Sequence, residues 1–249
     1  YVGFLDAIAE SFLGADLPNE ATRLFRLRLS LQLSSARNYT SHKSAKSIAL
    51  TSYKLALALY THGDYEAAVK AIDADMAQRP RYTALNGRFL TLLMSCHFLN
   101  GNLSKAMEAF DAGTVVYNYS LGPHHPIQAI HMDVLADLYR KSGNYKHCSL
   151  MLTMACEVSE QTNGDSHVST ARYTYKIAAN SYALAYNGDK EYRSLHLENA
   201  LDLFQEALSV YQSIETSGAD VKAEILNCMY AIVVITKDLR RIDDAMDRL

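Results

Sequence analysis

Leu55-Ala56-Leu57-Ala58-Leu59-Tyr60, then Thr61-His62-Gly63-Asp64-Tyr65, then Glu66-Ala67-Ala68-Val69-Lys70-Ala71-Ile72, closing at Pro80, is the stretch that decides the fold. The Leu/Ala run reads as a helix, Gly63 as the centre of a turn, the Ala-rich run as a second helix, and Pro80 as its stop. The same order of residues recurs at Cys96-His97-Phe98-Leu99-Asn100-Gly101-Asn102-Leu103 with Ala106 and Phe110. It recurs again at Leu135-Ala136-Asp137-Leu138-Tyr139 with Gly143, Tyr145, Cys148 and Leu152.

Aligned on the small residue of the second helix, the units place Ala21, Ala68, Ala106, Cys148, Ala200 and Ala245 in one column, at steps of 47, 38, 42, 52 and 45 residues. One helical turn later stands a large apolar residue each time: Phe25, Ile72, Phe110, Leu152, Phe204 and Leu249. Twelve residues before the small one stand Ala9, Ala56, Met94, Ala136 and Val233. In the fifth unit the equivalent, Ala179, lies 21 residues before Ala200, which predicts about nine extra residues in the turn near Asn187 to Leu195. Small residues let two helices approach closely, and the large one fills the gap a turn later.

The expected architecture is all-α: a right-handed solenoid of about six helix pairs, near 1–37, 44–80, 83–118, 126–161, 167–215 and 219–249. All four prolines (Pro18, Pro80, Pro123, Pro126) fall in junctions, as a helical array requires. The links are too short for a domain boundary, so residues 1–249 are expected to form a single solenoid domain.

Composition agrees. The chain has 249 residues, 49% hydrophobic, enough apolar material to exclude wholesale disorder. Thirty-two Ala and 32 Leu against only 11 Gly and four Pro exclude a turn-rich β-sandwich or a collagen. A balance of 24 basic and 27 acidic residues is too even to argue for nucleic acid or a membrane surface over the whole molecule. Cys96, Cys148, Cys156 and Cys228 form no C-x-x-C pair and read as reduced thiols of a cytoplasmic protein. No apolar run is long enough for a membrane span. The sequons at Asn38, Asn102 and Asn118 are no more than composition supplies. The start, Tyr1-Val2-Gly3-Phe4, reads as a cut end rather than a signal peptide, and both ends stop within helix pairs, so a fragment of a longer protein is expected.

The repeat resembles the tetratricopeptide repeat along essentially the whole chain, and within it the longer, kinesin-light-chain type. In that family a Leu-Gly-x-x-His-Pro turn leads into the first helix of units near 42 residues. Leu121-Gly122-Pro123-His124-His125-Pro126 matches, followed by Ala129, Leu135, Ala136 and Tyr139. A degraded copy, Gly164-Asp165-Ser166-His167-Val168 with Ala171, lies 42 residues later. Two features depart from the family: Asp133-Val134 replaces its paired Asn, and the first two units lack the His-Pro turn. Similar His-Pro-bearing repeats occur in clustered-mitochondria proteins and in the C-terminal part of SET-and-MYND methyltransferases.

The resemblance implies a groove, lined by the first helix of each pair, in which peptides dock. Projecting the repeat places inward Arg88, Thr91 and Ser95; Asp133, Asp137 and Arg140; Tyr173, Lys176 and Asn180; and Asn227, Tyr230 and Lys237. Asn and Lys can bond a peptide backbone and its carboxylates, and Tyr offers stacking area. Lys176 and Asn180 resemble half of the carboxylate clamp of chaperone-binding relatives, but Ala231 stands where the next Asn is needed.

A second candidate is basic. From Ala21 to Gly63 there are seven cations (Arg23, Arg26, Arg28, Arg37, Lys43, Lys46, Lys54) and no acid. Arg23, Arg26 and Arg28 alternate with leucines, which suits an acidic partner, an anionic lipid surface or RNA, or else a packed helix with solvated arginines. No His or Cys group has metal-ligand spacing: Cys96-His97, His124-His125, His131 and His147-Cys148 read as structural, with the histidines of the His-Pro turn capping and packing as the family implies. There is no phosphate loop or nucleophile elbow, so neither metal, cofactor nor catalysis is expected. The functional expectation is a non-catalytic scaffold binding a peptide or partner protein of unspecified identity. The alternatives are a substrate-positioning or regulatory domain of a larger enzyme of SET-and-MYND type, and an RNA-associated module of clustered-mitochondria type. Oligomeric state is left open by the sequence.

Overall fold

The structure is a computed structural model that describes residues 2–36, 42–77, 83–216 and 221–246. Eleven α-helices and one 3₁₀ turn follow one another, with no strand among the described residues. They are α1 (Val2–Gly14), α2 (Pro18–Ala36), α3 (His42–His62), α4 (Tyr65–Met76), α5 (Ala84–Leu99), α6 (Leu103–Leu121), α7 (Pro126–Lys141), α8 (Tyr145–Asn163), α9 (Val168–Asn187), α10 (Arg193–Thr216) and α11 (Lys222–Met246). The first ten form five tandem helix pairs, α1–α2 to α9–α10. Two compact units contain them: Tyr1–Gly122, holding α1 to α6, and Pro123–Leu249, holding α7 to α11.

The turns inside the pairs share one mechanism. Asp16, Gly63, Gly101 and Gly143 adopt left-handed φ values of 57°, 86°, 77° and 77°. Each stands five residues before the small residue of its unit. The N–H of the residue after each of these then closes back on a carbonyl five residues earlier: Leu17 on Phe12, Asp64 on Leu59, Asn102 on His97 and Asn144 on Tyr139, at 2.8–3.0 Å. This is the Schellman closure, which satisfies orphan carbonyls and needs a residue tolerant of positive φ. Asp64 and Asn144 then cap the next helix, accepting from the Ala67 N–H at 3.1 Å and the His147 N–H at 3.4 Å.

The turns into α7 and α9 are built alike, which explains the His-Pro motif physically. Gly122 and Gly164 take φ values of 95° and 88°. His125 and His167 are the N-caps, their Nδ1 atoms accepting from the Ile127 and Ser169 N–H groups at 3.2 and 3.1 Å. Pro126, which lacks an N–H to leave unsatisfied, opens α7.

In the first unit the core gathers Ala9, Ala21, Phe25, Leu55, Ala56, Ala68, Ile72 and Phe89, all deeply buried. The core of the second includes Ala171, Ala178, Ala200, Phe204, Ala207, Tyr211, Cys228 and Ile235. The small and large columns are buried in all five complete pairs, from Ala21 and Phe25 to Ala200 and Phe204. Gly87 belongs to the same close-approach logic: a Cβ there would come within 2.3 Å of the Tyr117 ring.

Two sequence readings are corrected. Unit five uses Ala178, fully buried, where Ala179 was expected. The nine extra residues are shared between longer helices and the 3₁₀ turn Lys190–Tyr192. More substantially, the sixth pair expected over 219–249 is not found among the described residues: α11 runs unbroken through the expected turn. The position five before Ala245 is Arg240, not a glycine, and the helix continues through it. The sixth large residue, Leu249, the helix stop Pro80, and Arg37, Asn38 and the side chain of Lys43 lie outside the described residues, as does the side chain of Ala245.

Candidate peptide-binding groove

Within the second unit, α7, α8 and α9 enclose a cavity of about 490 Å³. Asp137, Arg140 and Lys141 come from the end of α7, Tyr145, Cys148 and Leu152 from the start of α8, and Tyr175, Lys176, Ala179 and Ala183 from α9. The short Gly143 turn is what brings the last turn of α7 against the first turn of α8 here. Small Ala179 and Ala183 leave the space open, Cys148 and Leu152 are buried beneath it, and the charges ring it.

The electrostatics are already partly committed. Lys176 Nζ donates to both oxygens of Asp133, at 2.5 and 2.7 Å, and lies 4.0 Å from Asp137 Oδ2. Burial pushes the Asp133 carboxyl above its ordinary range, with the Lys176 ammonium opposing that shift. Arg140 approaches Asp137 at 3.5 Å, both side chains about half exposed, so the pair is weak and the guanidinium is available. Lys141 is exposed. Burial raises the Cys148 thiol to about 11, so it is protonated at neutral pH and is a packing group rather than a nucleophile. The other thiols are likewise buried and shifted up, Cys96 and Cys156 to about 12 and Cys228 to about 11. Among the described residues no group of three or more His, Cys, Asp or Glu is arranged to hold a metal ion.

The residues singled out from sequence separate. Asp137, Arg140 and Lys176 meet at the cavity, with Asp133 behind them. Asn180 does not: it is fully buried, and its amide donates to the Tyr145 carbonyl and Ser149 Oγ, both at 2.9 Å, tying α9 to α8. Tyr173 is buried beside a smaller cavity of about 200 Å³ lined also by Asp133, Arg172 and Ser159, and its hydroxyl is pushed up to about 12. Asn227, Tyr230 and Lys237 are exposed on α11, away from this lining. In the first unit, Arg88 is exposed with its guanidinium 5.6 Å from the Tyr53 ring centre. Thr91 bonds the Gly87 carbonyl at 3.0 Å and the Tyr117 hydroxyl at 3.2 Å, and Ser95 is buried with its hydroxyl on the Thr91 carbonyl. These last two serve packing of α5. Sequence projection missed Lys141, Tyr145 and Tyr175, because it took the lining from first helices alone and from one narrow face of each.

The basic helix changes character too. Arg23 and Arg26 are exposed, but Arg28 is buried and paired with Asp6 of α1. Lys54 lies 3.6 Å from Asp6 and pairs with Glu10. The segment without acids thus borrows two from its neighbour, and the expected surface of three arginines shrinks to two. No helix of the described residues is long and apolar enough to cross a membrane.

No family model matches the sequence, and no curated protein is similar to it. Solved structures are. The TPR-like repeats of a Podosopora anserina protein described as a kinesin light chain superpose with a TM-score of 0.61 at 17% identity, covering 88% of this chain and 97% of that one. A variant of the same protein gives 0.63, again at 17% identity, over 86% and 96%. BtubC (BKLC) from P. vanneervenii gives 0.54 at 14% identity over 91% and 92%. The chain therefore has the tetratricopeptide-type fold, similar to kinesin-light-chain-like repeats, and the likeness covers nearly its whole length.

Proposed function

We propose that the protein is a non-catalytic interaction scaffold, and that the cavity between α7, α8 and α9 seats a segment of a partner protein. The observation that carries this reading is the cavity itself, about 490 Å³ with an apolar base and a rim of Arg140, Lys141 and Lys176 against Asp137. That volume lies within the roughly 300–1,000 Å³ typical of ligand pockets and suits one or two side chains of a peptide. The fitting segment presents a small apolar side chain to Cys148 and Leu152 and a carboxylate to Arg140 and Lys141. Lys176, held by Asp133, contributes field more than a free donor. Four buried, unpaired thiols suit a reducing compartment, and the cytoplasm is the proposed location.

The test is a peptide array of acidic, apolar-containing segments, followed by titration of the positives. Ala183→Trp fills the cavity, and the double change Arg140→Ala with Lys141→Ala removes the exposed cations of the rim. Each should weaken binding about tenfold or more, a hot-spot-sized loss. The double mutant should leave the melting temperature unchanged, because both cations are exposed. Peptides that bind all three proteins equally would place the interaction elsewhere.

A further inference from the structure

The cavity between α7, α8 and α9 carries an alternating row of charges: Asp133, Lys176, Asp137 and Arg140. The row is closed at one end and loose at the other. Lys176 donates to both oxygens of Asp133, at 2.5 and 2.7 Å, which commits two of its three N–H donors there. Asp137 stands 4.0 Å from that ammonium and 3.5 Å from the Arg140 guanidinium. Both distances exceed the 2.7–3.2 Å of a good N–H···O bond. A carboxylate offers about four acceptor sites, so Asp137 lines the cavity with most of that capacity unused. Its side chain is 44% exposed, against 21% for Asp133.

The fold does not ask for an acid at this place. Asp137 follows the buried Ala136, and the residue after the equivalent buried position is Glu10, Leu57, Ser95 or Ala179 in the other complete pairs. Leucine, serine and alanine therefore serve the packing. Glu10 is the one other acid in that column, and Lys54 of α3 pairs with it. Asp137 has no such dedicated cation, because Lys176 is held by Asp133 and Arg140 is 56% exposed on the same helix. Its carboxylate is left to act on what enters the cavity.

Resting on the reading of this cavity as a seat for a partner segment, we infer that Asp137 is its specificity-determining residue. It selects a segment in which an acidic residue and a lysine or arginine flank the inserted apolar side chain. The basic side chain donates to Asp137, while the acid meets Arg140 and Lys141. Those two stations lie three and four residues beyond Asp137, about 5 Å along the helix axis. The residues flanking one position of an extended segment are about 7 Å apart, so a single segment reaches both.

The same carboxylate rejects the wrong segments. Acids on both flanks set one of them against Asp137, with Asp133 a turn behind it, and like charges there oppose entry. A neutral, non-donating flank covers Asp137 without giving it a hydrogen bond, which loses affinity in the way an unmade bond does. Opposite signs on the two flanks also fix which way the segment lies.

The probes are fluorescein-labelled peptides, framed by Ser and Gly, in which one Val is flanked by Asp and Lys in either order, by two Asp, or by Asp and Gln. They are titrated by anisotropy against the whole 249-residue chain. The better of the two mixed peptides should bind about tenfold or more tighter than the Asp/Asp peptide, with Asp/Gln between them. Asp137→Asn keeps the shape, removes the charge and should abolish the preference. Asp137→Lys should invert it in favour of Asp/Asp, a switch that a structural role of Asp137 does not produce. Circular dichroism melts of both variants should match the unchanged chain, since Asp137 is exposed and its pair with Arg140 is weak. The peptide series on the unchanged chain tests the inference without any variant. Equal binding of all the peptides by that chain, or a ranking that Asp137→Asn leaves as it was, overturns this inference and keeps the cavity as the seat. No saturation by any peptide, or full binding by Ala183→Trp, overturns the cavity reading and this inference with it.

Discussion

The α7–α8 pair and α11 carry the same packing pattern and fold differently. Ala136, Cys148 and Leu152 in the first, and Val233, Ala245 and Leu249 in the second, share their spacing. Yet α7 ends at Lys141 and the chain reverses at Gly143, whereas α11 continues past Arg240 to Met246. The difference lies in one position per unit. Four units place a residue there that takes a left-handed φ, three times Gly and once Asp16. Packing residues alone do not make a pair: the fifth pair reverses instead at Gly188 and the 3₁₀ turn Lys190–Tyr192, and α11 has neither device at Arg240. The same contrast separates a buried column from an exposed face: Ala136 is fully buried, Val233 is 67% exposed.

The strongest way to break this comparison is one substitution made twice. Ala136→Phe forces a ring between α7 and α8, where overpacking costs about 3 kcal/mol. Val233→Phe adds the same ring to an open face and should change stability by less than about 0.5 kcal/mol. Urea unfolding of both variants checks the pair. Equal losses would mean that Val233 is packed in solution, and the assignment of a free α11 face would fail with it.

Next in size is the turn itself. Gly143→Ala puts a Cβ on a residue held at φ 77° and should cost about 1–2 kcal/mol, although nothing lies within 4 Å of the new atom. The cost is purely conformational, which is why Gly143 has no visible contact to lose. Arg240→Gly is the converse. It should destabilise by about 1 kcal/mol through helix propensity and leave far-UV ellipticity nearly unchanged. A stabilised protein with lower helicity would instead show that a glycine alone converts α11 into a pair.

What is legible in the sequence follows from the same physics. Four of the five complete pairs can be read because their marks are local: a Gly or Asp at a fixed place, a small residue, then a large one a turn later; the fifth keeps Ala200 and Phe204 but has Leu195 at that place. The sixth deceives because Ala245 and Leu249 copy the packing marks without the turn. Among candidate site residues, Asp137, Arg140 and Lys176 reach the cavity because they follow the helix face that the repeat defines. Asn180 sits on that face by spacing yet is buried, since a helix in an array meets neighbours on two sides and one residue's rotation decides between groove and core. Arg28 illustrates the long-range version. Its segment carries no acid, but Asp6 arrives from α1, and only the fold shows that the two meet.

The smallest effect at neutral pH concerns Cys148, which occupies the slot that Ala21, Ala68, Ala106 and Ala200 fill in the other pairs. Cys148→Ala loses one sulfur from a site its neighbours fill with alanine, so stability at pH 7 should shift by about 1 kcal/mol or less. Its consequence appears in alkali. Burial raises the folded thiol from its ordinary 9.0 to about 11, so the folded state holds the proton more tightly than the unfolded chain does. That contribution is fully present below pH 9 and is lost as pH rises through about 11. Cys228, raised to about 11 on the covered side of α11, acts in the same direction, and Cys96 and Cys156, raised to about 12, extend the loss further. The unmodified protein should therefore melt at progressively lower temperature from pH 9 upward, and Cys148→Ala should follow a shallower slope between pH 9 and 11. Parallel slopes for the two proteins would show that the thiol of the fourth pair is wetter than its slot implies, and that the α7–α8 contact is looser than those of the alanine-lined pairs.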